Sequence, residues 1–227
     1  MILFTNGCSW TYGGGLNLDA ATQEKERLAS TWPTHLGKLL GASEVVNLAE
    51  GCGSNDRILR TTFEWLNKQS PERLKETLAI IQWTEASRYE YYCAETQEWA
   101  RCKIGVCLQS EEDESVALAR SERRFETFTD EEGMYRLMNA HASMESILRH
   151  FGVKYYYWSL CGVSTMSGSY VEGFLSESYN WVKDTYHESV CMGWGYEVVG
   201  NSLWGYDLHP SFTGHKQIAQ TIYDAIT

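Results

Sequence analysis

Four short apolar runs, separated by longer segments of helical period, constrain this chain more than any other feature of its sequence. The runs are Ile2–Thr5, Glu44–Leu48, Thr77–Trp83 and Val153–Ser159. Near-continuous apolar runs of this length suit strands buried on both faces, and the spacing between them leaves room for a helix at each crossover. Gln23–Leu40, Asn55–Asn67 and Asp130–His150 place apolar side chains three and four residues apart, which predicts helices. Ser54 or Asn55 serves as N-cap of the second, and Pro71 suits the first position of a further helix. The closing segment from Pro210 carries Ile218, Ile222 and Ile226 in one stripe, which predicts a C-terminal helix packed on the sheet. The fold class is therefore α/β, a central parallel sheet with helices on both faces.

A chain of 227 residues can bury one good core, and 43% hydrophobic with 22% charged residues is ordinary for a globular protein, so residues 1–227 read as a single domain. Two stretches break the pattern. Ser87–Phe128 is rich in charge and aromatics, and Cys161–Gly205 in Gly, Ser, Trp and Tyr; both read as insertions over a site. Within the first, Glu111-Glu112-Asp113-Glu114 reads as a solvated loop. Trp83, Tyr89, Tyr91, Tyr92, Trp99, Trp158, Tyr170, Tyr179, Trp181, Trp194, Tyr196 and Trp204 crowd these regions. Most are expected to pack, and a few to offer a stacking wall for a sugar or acyl group.

A net charge of -11 repels phosphate backbones and anionic membranes, which argues against a nucleic-acid or membrane partner. The seven cysteines are an odd set, scattered through strands and loops, and this fits a reduced, cytoplasmic compartment. Cys102 and Cys107 lack a second ligand pair at zinc spacing, so neither a metal nor another cofactor is expected. The first residues lack a basic, then apolar, leader, and no apolar stretch is long enough to span a membrane.

Chemistry is concentrated at the ends of the strands. After the first run the chain reads Asn6-Gly7-Cys8-Ser9, a serine at the carboxyl end of a parallel strand, where such sheets bind their ligands. Near the other end, Tyr206-Asp207-Leu208-His209-Pro210 offers an imidazole that can reach across the sheet edge to Ser9, and a carboxylate that can fix its tautomer. Cys8, directly before Ser9, points to the opposite face and reads as a packed side chain. His215 reads as a structural hydrogen-bonding residue.

Taken in order, these blocks resemble the SGNH (GDSL-like) hydrolase superfamily. Gly7-Cys8-Ser9 stands for its first block, Asn47-Leu48-Ala49-Glu50-Gly51-Cys52-Gly53 for its second, Gln82-Trp83-Thr84-Glu85 for its third, and Asp207 to Pro210 for its last. The resemblance implies a three-layer flavodoxin-like fold and catalysis by Ser9 with His209 as its base and Asp207 as the acid. It further implies an oxyanion hole from Ser9, a glycine of the second block and the third block. Gly53 is the chosen glycine, although spacing from Asn47 also allows Cys52. The second and third blocks, with Ser54-Asn55-Asp56, are similar to SGNH-like proteins carried by bacteriophages, which implies an infected bacterial cytoplasm or a virion.

Three departures stand out. Thr84 occupies the place of an asparagine, so that either its hydroxyl replaces the amide donor or the chain is a weak or inactive member. Asp207 lies two residues before His209 rather than three, which leaves either Asp207 or a backbone carbonyl to orient the ring. Cys8 replaces the usual acid of the first block. The expected activity is serine-dependent removal of a small, acetyl-like acyl group from a polar or carbohydrate ester. The alternatives are an acyltransferase on the same fold and a non-catalytic carbohydrate-binding or virion protein.

Overall fold

The computed structural model describes residues 1–14, 16, 23–94, 96–103, 106–109, 129–159 and 209–227. Four of its strands form a parallel sheet in the order β2-β1-β3-β7: β1 Ile2–Asn6, β2 Glu44–Asn47, β3 Thr77–Trp83 and β7 Lys154–Ser159. All four follow the apolar runs to within a residue or two. Every residue of β1 and β3 is buried, as the continuous apolar pattern requires, whereas β2 lies at the edge and is partly exposed.

The helices are α1 Ser9–Tyr12, α2 Gln23–Ser30, α3 Trp32–Leu39, α4 Asn55–Leu66, α5 Pro71–Lys75, α6 Asp130–His150 and α7 Phe212–Ile226. The sheet divides the core in two. Ala79, Ile81 and Trp83 of β3 pack with Ile58 and Leu66 of α4 and with Leu137, Met144 and Leu148 of α6. Leu78 and Ile80 face the other way, onto Trp32 and Leu36 of α3 and Ile218 and Ile222 of α7. This alternation along one strand places one helical layer on each face.

Ser54 caps α4 by accepting the Arg57 N–H, Ser70 caps α5 with Pro71 as its first residue, and Ser211 caps α7. One expected helix is in fact two. Gln23–Leu40 breaks at Thr31, whose backbone is extended, because Pro33 in the next turn lacks an N–H and its ring would strike the carbonyl four residues earlier. A second difference lies in the first insertion, which contains an antiparallel sheet of β4 Arg88–Cys93, β5 Glu98–Lys103 and β6 Val106–Gln109. It is fastened to α4 by Arg60, whose guanidinium donates to both oxygens of Glu90 at 2.8 and 2.9 Å and lies over the Trp99 ring. The second insertion, the run Glu111 to Glu114, and Tyr170, Tyr179, Trp181, Trp194, Tyr196 and Trp204 lie outside the described residues. Among those that are described, Trp83, Tyr89 and Trp158 pack in the interior while Tyr92 and Trp99 are exposed. No described helix is long and apolar enough to cross a membrane.

Candidate active site

Ser9 follows β1, the strand on either side of which the chain order reverses, so it sits at the carboxyl-end crevice where α/β sheets bind ligands. It is the first residue of α1, and its backbone N–H therefore has no acceptor within that helix. The turn ends at Gly13, whose left-handed φ of 90° directs the chain back across Ser9. Gly14 then lies against both side chains: a methyl group there would come within 3.1 Å of both the Ser9 Cβ and the His209 ring.

His209 comes from the segment before α7. Its Nε2 lies 2.9 Å from Ser9 Oγ, across 200 residues of sequence. With the ring neutral and its proton on Nδ1, the Ser9 hydroxyl donates to Nε2, as proton abstraction requires. The segment is anchored through α7, where the His215 Nδ1 accepts the Trp32 N–H at 3.2 Å and so ties α7 to the start of α3. Cys8 is fully buried in the core on that side. Asp207 lies outside the described residues.

The turn after β2 forms the opposite wall. The Glu50 N–H donates to the Gly7 carbonyl, and Arg57 pairs with Glu50 at 2.6 Å while donating to the Leu48 carbonyl. Gly53 does not present a donor: its N–H is directed to the Glu50 carbonyl at 3.1 Å, inside the turn. The adjoining residue, Cys52, has a φ of 60°, and among the described residues nothing accepts its N–H. The sequence choice between the two depended on which amide the turn consumes, and residue type alone does not reveal that.

Thr84 follows β3 and is fully buried. Its backbone is gripped on both sides by the Asn55 carboxamide, which accepts the Thr84 N–H at 2.9 Å and donates to the Thr84 carbonyl at 3.0 Å. Its hydroxyl has no partner among the described residues. A buried hydroxyl without a partner is costly unless something else uses it. Asn6, Asn47, Asn55 and Gln82 carry positioning bonds that the sequence reading did not assign. The Asn6 side chain donates to Ile58, Thr61 and Thr62 of α4, and Asn47 donates to the Thr11 carbonyl. The available signal was a lone amide at or near the end of three of the apolar runs, Asn6, Asn47 and Gln82.

Two histidines are buried near these elements. His141, which accepts the Trp83 indole N–H at 3.2 Å, is lowered to about 4 by burial. His215 is lowered to about 3, again chiefly by burial and further by the neighbouring His35 and His209. An unfolded histidine titrates near 6.5, so between that pH and the folded value only the unfolded chain takes up the proton. Their contribution to stability is complete above pH 6.5 and declines as pH falls, by about 1.4 kcal/mol per unit for each. The decline ends near pH 4 for His141 and pH 3 for His215. His141→Gln, which keeps an acceptor for Trp83 and cannot take the proton, is expected to lessen the fall in denaturant midpoint between pH 7 and pH 4.5. An equally steep fall would assign the acid sensitivity elsewhere.

A parallel sheet in the order β2-β1-β3-β7 with a helical layer on each face is the SGNH, or GDSL-like, fold. Solved structures share it. TesA has a TM-score of 0.56 at 15% identity, the alignment covering 100% of this chain and 98% of that one. A protein assigned to the G-D-S-L family from Desulfitobacterium hafniense has a TM-score of 0.54 at 12% identity, with 99% of each chain covered. A carbohydrate esterase family 2 enzyme with a carbohydrate-binding domain, from Corynascus thermopiles (Myceliophthora fergusii), has a TM-score of 0.54 at 11% identity, covering 99% of this chain and 65% of that one. At these identities the likeness is one of fold. The chain belongs to a family of unknown function (DUF6071), matched over residues 16–171, a span that begins after Ser9 and ends before His209. No curated protein matches it in sequence.

Proposed function

We propose that this protein is a serine ester hydrolase, and the observation that carries the reading is the 2.9 Å approach of His209 Nε2 to Ser9 Oγ. His209 takes the hydroxyl proton as Ser9 Oγ attacks the ester carbonyl, then delivers it to the departing alcohol oxygen. The negative charge on the carbonyl oxygen is received by the Ser9 N–H, the Cys52 N–H and the Thr84 hydroxyl. Water, deprotonated by the same imidazole, cleaves the acyl-enzyme and regenerates Ser9. Asp207, two residues before His209, is assigned to hold Nδ1.

The substrate class proposed is a small acyl group on a polar or carbohydrate alcohol. The acidic, aromatic composition of the insertions supports it, as do the exposed rings of Tyr92 and Trp99, which meet edge to face at 5.5 Å on the small sheet.

A fluorophosphonate probe, which reacts with activated serines, tests the mechanism, and peptide mapping locates the adduct. Modification of Ser9, with turnover of acetyl but not long-chain esters, is expected. An unmodified protein would overturn the reading in favour of a non-catalytic binding protein on this fold, and turnover of long-chain esters alone would overturn the substrate class.

A further inference from the structure

We infer that Gln82 is a positioning residue for the nucleophile, its carboxamide oxygen fastening both ends of the turn that presents Ser9. The inference rests on the serine-hydrolase reading for its consequence, but not for its geometry. Gln82 is the penultimate residue of β3 and is fully buried. Its Oε1 accepts the Cys8 N–H at 3.4 Å, just before Ser9, and the Thr11 hydroxyl, just after it. The Thr11 oxygen in turn accepts the Trp32 indole N–H at 3.3 Å. One atom of the neighbouring strand thus joins the two flanks of the nucleophile, and a chain of hydrogen bonds continues into α3.

Such an anchor has a physical reason. Helix α1 is four residues long and its N-cap, Cys8, makes no side-chain capping bond. A single turn does not hold itself together in water, so its geometry must be imposed by contacts outside it. Gly7 is shaped by the same amide: a methyl group on Gly7 would lie 2.6 Å from Gln82 Oε1 and 2.8 Å from its Cβ. The glycine of the Gly-x-Ser turn is therefore required here to admit the Gln82 side chain.

The two ends of the amide differ. Gln82 Nε2 is buried and has no hydrogen-bond partner among the described residues. An apolar side chain of similar shape would avoid that loss but would leave the buried Cys8 N–H and the Thr11 hydroxyl without their acceptor, so the value of glutamine here lies in its oxygen. What glutamine supplies is an oxygen at one fixed place, and misplacing a reacting group by about 1 Å can cost on the order of 10²-fold in rate.

The test compares the fluorophosphonate inactivation rate constant, separated from reversible probe binding, in the parent, Gln82→Met, Gln82→Glu and Thr11→Val. Gln82→Met is expected to react on the order of 10- to 100-fold more slowly, with probe binding and the pH midpoint unchanged and the protein still folded at the assay temperature. Gln82→Glu keeps an acceptor and recovers most of the rate. Thr11→Val, which removes one of the two bonds, falls between. Should Gln82→Met fail to fold, Thr11→Val against Thr11→Ser provides the same comparison. A folded Gln82→Met that reacts within about threefold of the parent overturns the inference. Amide hydrogen exchange keeps it separate from the hydrolase reading: faster exchange at Cys8 in Gln82→Met is expected whether or not the parent reacts with the probe, and unchanged exchange also overturns the inference.

Discussion

Replacing His209 by alanine is expected to lower kcat/KM for an acetyl ester by about 10⁴-fold or more, the scale on which serine hydrolases lose activity with their base. Ser9 has no other imidazole within hydrogen-bond reach among the described residues, and His215 has its Nδ1 committed to the Trp32 N–H. Ser9→Ala is expected to cost as much, and the double variant no more than either alone, because the two groups act as a unit. Steady-state hydrolysis of a chromogenic acetyl ester, corrected for spontaneous cleavage, measures all three. Additive losses would mean that serine and histidine work separately, and a His209→Ala variant within tenfold of the parent would move the base elsewhere.

Thr84→Val is expected to lower kcat by about 10²–10³ while leaving KM nearly unchanged, the pattern of a donor used only when charge develops on the carbonyl oxygen. The same substitution removes a buried hydroxyl that has no partner and replaces it with a methyl group of the same shape, so stability should hold or rise. Activity and stability then move in opposite directions, which a packing role does not produce. The Asn55 carboxamide holds the Thr84 backbone from both sides, so the change stays local to the side chain. Thr84→Ser, which keeps a hydroxyl, should retain most of the rate. Chemical denaturation alongside kinetics decides the matter: a fall in stability with an unaltered kcat would return Thr84 to the core.

The parallel sheet was legible in the sequence because strands buried on both faces leave no alternation to misread, as Ile2–Asn6 and Thr77–Trp83 show. The small antiparallel sheet was not, because Arg88–Cys93 mixes charge with aromatics and owes its place to Arg60 on a distant helix. Ser9 and His209 could be paired from their order along the chain and their places at the ends of elements. Choosing between Cys52 and Gly53 needed the direction of each amide, which the turn determines through the Glu50 carbonyl. The bonds made by the Gln82 and Asn55 side chains were not legible, because a single amide shows that a partner is needed without naming it.

The division of the interior by the sheet also divides the machinery. Cys8 and Trp10, on either side of Ser9, pack with Trp32, Leu36 and Ile222, in the layer that also carries the segment of His209. Thr84 is gripped from α4, and the loop bearing Cys52 is braced by Arg57 of the same helix, whose Ile58 belongs to the opposite core. On the proposed mechanism the proton-transfer pair is thus mounted on one wall together with the Ser9 N–H, and the other two charge-receiving donors, the Cys52 N–H and the Thr84 hydroxyl, on the opposite wall. On that mechanism a substitution at Thr84 alters how charge is received while the Ser9–His209 pair stays seated.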